Sequence, residues 1–119
     1  MGTKDEAQEA AFVGKILDMQ GMVDYQEGAV VSKTLLDKKT DGKKAGTITL
    51  FAFDKGQGLS EHTAPFDAFV YVFDGESVIT IEGEPLNVKK GEIIIMPANK
   101  PHELKAVVRF KMMLVMIRV

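Results

Sequence analysis

From Ala29 onward the chain is a succession of short apolar runs closed by turn-forming residues, and this rhythm confines it to an all-β architecture. Residues 30–36 and 46–53 form two runs joined through Asp41-Gly42, a dipeptide suited to the positive φ angles of a hairpin turn. Residues 68–73 form a third run ending at Asp74-Gly75, and residues 78–82 a fourth, closed by Gly83 with Pro85 just beyond. Residues 86–88, 92–96, 102–108 and 110–119 complete the series. Turn signals recur about every 8 to 12 residues, the spacing of an antiparallel sandwich or barrel.

The third run is apolar on both faces. Ala68, Val70 and Val72 share one side, and Phe69, Tyr71 and Phe73 the other. A strand with one wet face would alternate with polar residues, so the second face needs a cover. The N-terminal segment or another subunit would serve. That segment has weaker patterning. Residues 1–11, rich in Ala, Glu and Gln, read as a flexible tail. Residues 12–24 lack a clean period, and Gly14 and Gly21 limit them to a short strand or helical turn. The expected organisation is a tail over 1–11 and one domain over 12–119, with its barrel core at about 30–119. No repeat of fixed period and no low-complexity stretch interrupts it.

Bulk properties narrow the function classes. A chain of 119 residues buries roughly two-thirds of its unfolded surface and needs no disulfide or structural metal to fold. The 15 basic and 17 acidic residues leave a net charge of −2, which gives no global attraction to nucleic acid or a membrane surface. The basic cluster Lys38-Lys39 and Lys43-Lys44 brackets Thr40-Asp41-Gly42 and reads as a solvated hairpin loop. With no cysteine there is no thiolate chemistry and no Cys-type zinc site, in keeping with a reducing compartment. Residues 1–11 have no apolar core of the signal-peptide kind, and Glu6 stands where a myristoylation motif needs Ser or Thr. No run approaches the roughly 20 apolar residues of a membrane span. The expected location is cytoplasmic.

Two stretches carry a family resemblance. GQGLSEHTAPFDAFVYVFDG, Gly56 to Gly75, resembles the first motif of the cupin family, G-x5-H-x-H-x3-E-x6-G, with Gly56, His62 and Gly75 in register. GEIIIMPANKPHELKA, Gly91 to Ala106, resembles the second, G-x5-P-x-G-x2-H-x3-N, with Gly91, Pro97 and His102 in register. The resemblance implies a double-stranded β-helix, the antiparallel jelly-roll barrel of the cupins. It also implies a homodimer, sealed in part by N-terminal strands.

The departures bear on function. Many cupins hold a metal with two histidines and a glutamate of the first motif and a histidine of the second. Here Ala64 replaces the second histidine and Ala68 the glutamate. Asn99 replaces the glycine of the second motif, and Ala106 its asparagine. His62 and His102 are the only histidines in the chain. In the full motif H-x-H turns two imidazoles to one side of a strand, and the resulting N3O set suits Fe, Mn, Ni or Cu. Two imidazoles alone hold a divalent metal weakly.

His62 and His102 therefore admit three readings. They bind a divalent transition metal (Fe, Mn, Ni, Zn or Cu) with help from Glu61, Asp67 or Glu103; strand parity points Glu61 and Glu103 away. Alternatively they anchor an organic ligand in an apolar pocket. In the third reading they bond each other or the backbone and have no further role. The expected pocket comprises His62, Ala64, Ala68, Val70, His102, Met112 and Met116. If Arg109 and Lys111 face water, then Phe110, Met112, Leu114 and Met116 face inward. Methionine sulfur beside imidazole would suit Cu(I), but methionine as adaptable core filler is far commoner. Phe51, Phe53, Phe69, Tyr71 and Phe73 read as core and subunit packing. The corner 97–101 is rigid and delivers His102 into the barrel. Tyr25 and Tyr71 have no partner by spacing, and no Ser/His/Asp arrangement, P-loop or dinucleotide fingerprint is present.

Three functions stay open: a barrel that binds a small molecule, a metal-dependent dioxygenase, isomerase or decarboxylase, and a non-catalytic sensor.

Overall fold

The computed structural model describes residues 11–119; the expected tail thus lies, but for Ala11, outside the described residues. Among the described residues one short helix, α1 (Met19–Met22), precedes eight strands: β1 (Val30–Thr40), β2 (Lys43–Phe53), β3 (Gly58–His62), β4 (Phe66–Ile81), β5 (Glu84–Lys89), β6 (Ile93–Met96), β7 (His102–Lys105) and β8 (Phe110–Arg118). Every pairing is antiparallel. The sheet runs β1-β2-β8-β4-β7-β3, with β5 and β6 also on β4. The first half of β4 pairs with β8 and β6, and its second half with β7 and β5, so the sheet curls into a barrel around this one strand.

That curl corrects the reading of two strands divided at Asp74-Gly75. Residues 66–81 are continuous, with a bulge between Val72 and Asp74 that inserts Phe73 as an extra residue. Bulges bend and twist a strand, and this one lies where β4 changes sheets. Gly75 has φ +66°, and a Cβ there would run into the carbonyl oxygen of Arg109. The glycine serves close strand approach rather than a turn. Asp41-Gly42, by contrast, forms the expected hairpin turn, with φ 54° and 75°. The run expected over 102–108 is strand only to Lys105, and β3 was not expected as a strand.

The interior is packed by Phe53, Val70, Val72, Ile79, Leu104, Phe110 and Met112, all buried. Phe53 stacks on Phe110 at 4.5 Å and on Phe51 at 5.7 Å between ring centroids. A second cluster lies on the outer face of the sheet. There Val23, with Met19, Met22 and Tyr25 beside it, covers Leu50, Ala52, Phe73 and Tyr71. The N-terminal segment is thus a cover for the doubly apolar strand. Lys111, expected to face water, is 7% exposed beneath this cover. Its ammonium donates to the Gln20 carbonyl at 2.9 Å and lies over the Tyr25 ring. The alternation itself holds: Phe110 and Met112 point into the interior. Among the described residues no helix is long and apolar enough to cross a membrane.

Candidate functional site

His62 ends β3 and His102 begins β7, and the two are direct cross-strand partners. Such partners have side chains in contact, and the two rings meet edge-on with centroids 4.4 Å apart. The loops that deliver them are tied together. The Asn99 amide donates to the Ala64 carbonyl at 2.8 Å, and the Ala98 amide to Asp67 Oδ1 at 3.0 Å. Asn99 has φ 61°, a conformation that asparagine tolerates better than most residues. This makes the glycine-to-asparagine departure from the second motif conformationally mild. Gly56 and Gln57 are bonded to Ala106 by a reciprocal pair of backbone hydrogen bonds, 2.7 and 2.8 Å, which fixes the entry to β3.

The tautomers follow from the partners. His62 Nδ1 donates to the Ser60 carbonyl at 2.7 Å, and His102 Nδ1 to the Lys100 carbonyl at 3.1 Å. A carbonyl can only accept, so Nδ1 carries the proton in both rings. In the neutral form each Nε2 then has a free lone pair, and no hydrogen bond engages it among the described residues. Burial lowers the His102 pKa below the ordinary 6.5; the Lys100 carbonyl opposes this and His62 adds to it. His102 is therefore a neutral acceptor at pH 7.

Both histidines line a cavity of about 40 Å³ whose other walls are apolar: Leu59, Phe66 and Ala68, with Leu104, Leu114 and three methionines. Its size admits a few water molecules, at roughly 10–15 Å³ each, or a very small ligand without rearrangement. The methionines, Met96, Met112 and Met116, are the wall residues best able to move.

Of the pocket residues expected from sequence, His62, Ala64, Ala68, His102, Met112 and Met116 lie together on this wall. Val70 does not. It is fully buried in the packed interior. Leu59, Phe66, Leu104 and Leu114 were missing from the expected pocket. Parity from Ala68 and His102 would have pointed to Phe66 and Leu104.

The donor set does not fit the metal that the resemblance implies. No group of three or more His, Cys, Asp or Glu side chains converges among the described residues. Ala64 and Ala68 bring methyl groups to the other two ligand positions. Of the helpers considered, Glu61 and Glu103 are exposed, and Asp67 caps the Ala98 amide. The cavity thus has two imidazoles, an apolar lining and no carboxylate.

Comparison with known proteins agrees with this architecture. The family model for the cupin domain matches residues 49–118. A conserved protein of unknown function from Streptococcus pyogenes has a similar structure, with 37% identity, 89% coverage of both chains and a TM-score of 0.81. A cupin 2 conserved barrel domain protein from Leptotrichia buccalis is 43% identical over 81% of this chain and 44% of its own, with a TM-score of 0.75. A protein named polyketide synthase CurC, from Streptomyces cyaneus, is 29% identical over 76 residues, 63% of this chain. The chain spans about half the length of that curated relative, 49%. With the family model spanning more than half of the chain and both motif histidines paired in the barrel, the chain belongs to the cupin family.

Proposed function

We propose that this protein binds a small organic molecule with a hydrogen-bond-donating group, above all a hydroxyl, on a compact apolar body. One observation carries the reading: two imidazoles have their Nδ1 atoms committed and, among the described residues, their Nε2 atoms without a hydrogen bond, beside an apolar cavity. Such a pair accepts from a donor, and the apolar lining receives the carbon skeleton once the flexible Met96, Met112 and Met116 shift to enlarge the cavity. Similarity to the protein named polyketide synthase CurC is compatible with a hydroxylated, carbon-rich ligand, the general chemistry of polyketides. A metal-dependent dioxygenase, isomerase or decarboxylase needs donors that Ala64 and Ala68 lack. The reading is therefore a barrel that carries or senses its ligand.

Phenol and toluene test this, because they differ by one hydroxyl. A hydrogen bond contributes about 0.5–1.5 kcal/mol, so phenol, with one donor, should bind about two- to tenfold tighter. Titration followed by NMR should show that preference, with shifts at both imidazoles, and His62→Ala/His102→Ala should abolish it. Equal affinity for the two, or a preference that survives in the double variant, contradicts the reading.

We also propose a homodimer. Ile93, Ile95 and Ile117 are 56%, 61% and 61% exposed on the outer face, joined through Phe69 and Val115 by strand register. A contiguous apolar patch of this kind marks an interface, and a two-fold pairing would bury it on both copies. Sedimentation should give a dimer for the native chain and a monomer for Ile95→Lys. A native monomer overturns the proposal.

A further inference from the structure

The sheet face that lines the cavity continues past Met116. Strand register places Met96, Ala68, Met116, Thr47 and Asp37 in one row across β6, β4, β8, β2 and β1. Directly paired residues share a face, so Thr47 and Asp37 continue the inner face that Met96, Ala68 and Met116 bring to the cavity. Along this row the wall changes from methyl and thioether to hydroxyl and carboxylate.

Among the described residues, one side-chain oxygen of Thr47 and one of Asp37 lack a partner. Thr47 is 5% exposed and its hydroxyl has no hydrogen bond; one carboxylate oxygen of Asp37 is fully buried and has none either. Buried polar groups are nearly always partnered, so an adjacent pair without partners calls for an explanation. The neighbouring row shows what a satisfied version looks like: Thr34 and Thr49, also cross-strand partners, bring their hydroxyl oxygens to 3.4 Å. The third unpartnered group, the Ser77 hydroxyl, lies elsewhere, opposite Val88 on the β4–β5 hairpin.

We infer that Thr47 and Asp37 form a second polar anchor of the barrel site, one that takes a cationic donor such as an ammonium group. Met116 stands between this anchor and the rest of the cavity wall, and a shift of its flexible thioether joins the two. The ligand is then bifunctional, with a hydroxyl at the histidines and an amine at the Asp37 carboxylate. This rests on the reading of the histidines given above and adds the ligand's second group.

Tyramine, a phenol with an ammonium arm, is the probe, and phenol is its control. Native protein should bind tyramine about tenfold or more tighter than phenol, in line with a charge-assisted bond. Asp37→Asn should remove that advantage and leave phenol affinity unchanged. Thr47→Val, close to isosteric, should reduce it in part, and thermal melts verify that both variants fold. A native protein that binds phenol through the histidines but gains nothing from the amine overturns the second anchor and leaves the first. A tyramine advantage that persists in both variants also overturns it. If phenol fails to bind while tyramine binds through Asp37, the anchor stands and the histidine reading falls. If neither binds, both fall.

Discussion

The sheet formed by β1, β2, β8, β4 and β6 has two faces that differ in how fully their polar groups are partnered. On the outer face, beneath the N-terminal segment, the polar groups are partnered. The Tyr25 hydroxyl donates to Asp74 at 2.6 Å, Gln20 Nε2 to the Phe73 carbonyl at 2.6 Å, and Lys111 to the Gln20 carbonyl. Arg109 and Lys111 also lie over the Tyr25 ring, at 4.6 and 5.2 Å. On the inner face Thr34 and Thr49 bring their hydroxyls together, but among the described residues the Thr47 hydroxyl and an Asp37 oxygen have no partner, and the neighbouring cavity holds two Nε2 atoms without a hydrogen bond. Strand alternation supplies both faces from the same residues. One face closes the barrel and stabilises it. The other leaves hydrogen-bonding capacity open, which the proposed ligand would use.

The largest effect should come from removing the outer contact. Phe73, 2% exposed, packs with Val23, Leu50 and Ala52, and Phe73→Ala should cost about 3–5 kcal/mol in denaturant unfolding. A cost near that of a surface change, about 0.5 kcal/mol, would break the comparison.

A smaller loss belongs to the latch. Tyr25→Phe should cost about 1–2 kcal/mol, since the bond goes to a charged group but is only partly buried. Burial, then the bond to Asp74 and its charge, raise the Tyr25 pKa well above the ordinary 10.0; Arg109 opposes. Folding thus holds a proton that the unfolded chain releases. The contribution is complete below pH 10 and declines as pH rises above it. Stability measured between neutral pH and pH 11 should fall more steeply in native protein than in Tyr25→Phe; parallel curves would refute the latch.

The smallest effect lies at the cavity. Because the His102 pKa is lowered, its contribution is present above pH 6.5 and is lost as pH falls toward the folded value. NMR titration should give His102 a midpoint below 6.5. A midpoint above it would mean an unrecognised carboxylate beside the ring.

Much of this was legible in sequence because strand parity and turn chemistry are local. Asp41-Gly42 announced its hairpin, and the doubly apolar stretch around Val70 announced a cover. The misreadings arose where tertiary geometry overrode local signals. Asp74-Gly75 has turn chemistry, yet Gly75 is there so that β8 can approach closely. The third strand, Gly58–His62, is short and largely exposed, so hydrophobic period could not reveal it. Val70 obeys the parity of Ala68, but parity fixes a face and says nothing of which inward side chains leave open space between them. Asp37 and Thr47 were illegible for another reason: their importance is an unmet hydrogen bond, which only the assembled sheet exposes.

The central claim is that a metal cradle which lost two of its four donors has become a site for an organic ligand. Metal content tests it most directly, in protein purified without tag or chelator and then exposed to Fe, Mn, Ni, Zn and Cu. The expected result is far less than one metal per chain, with no difference between native protein and His62→Ala/His102→Ala. Near-stoichiometric metal in the native chain, lost in the double variant, would contradict the account.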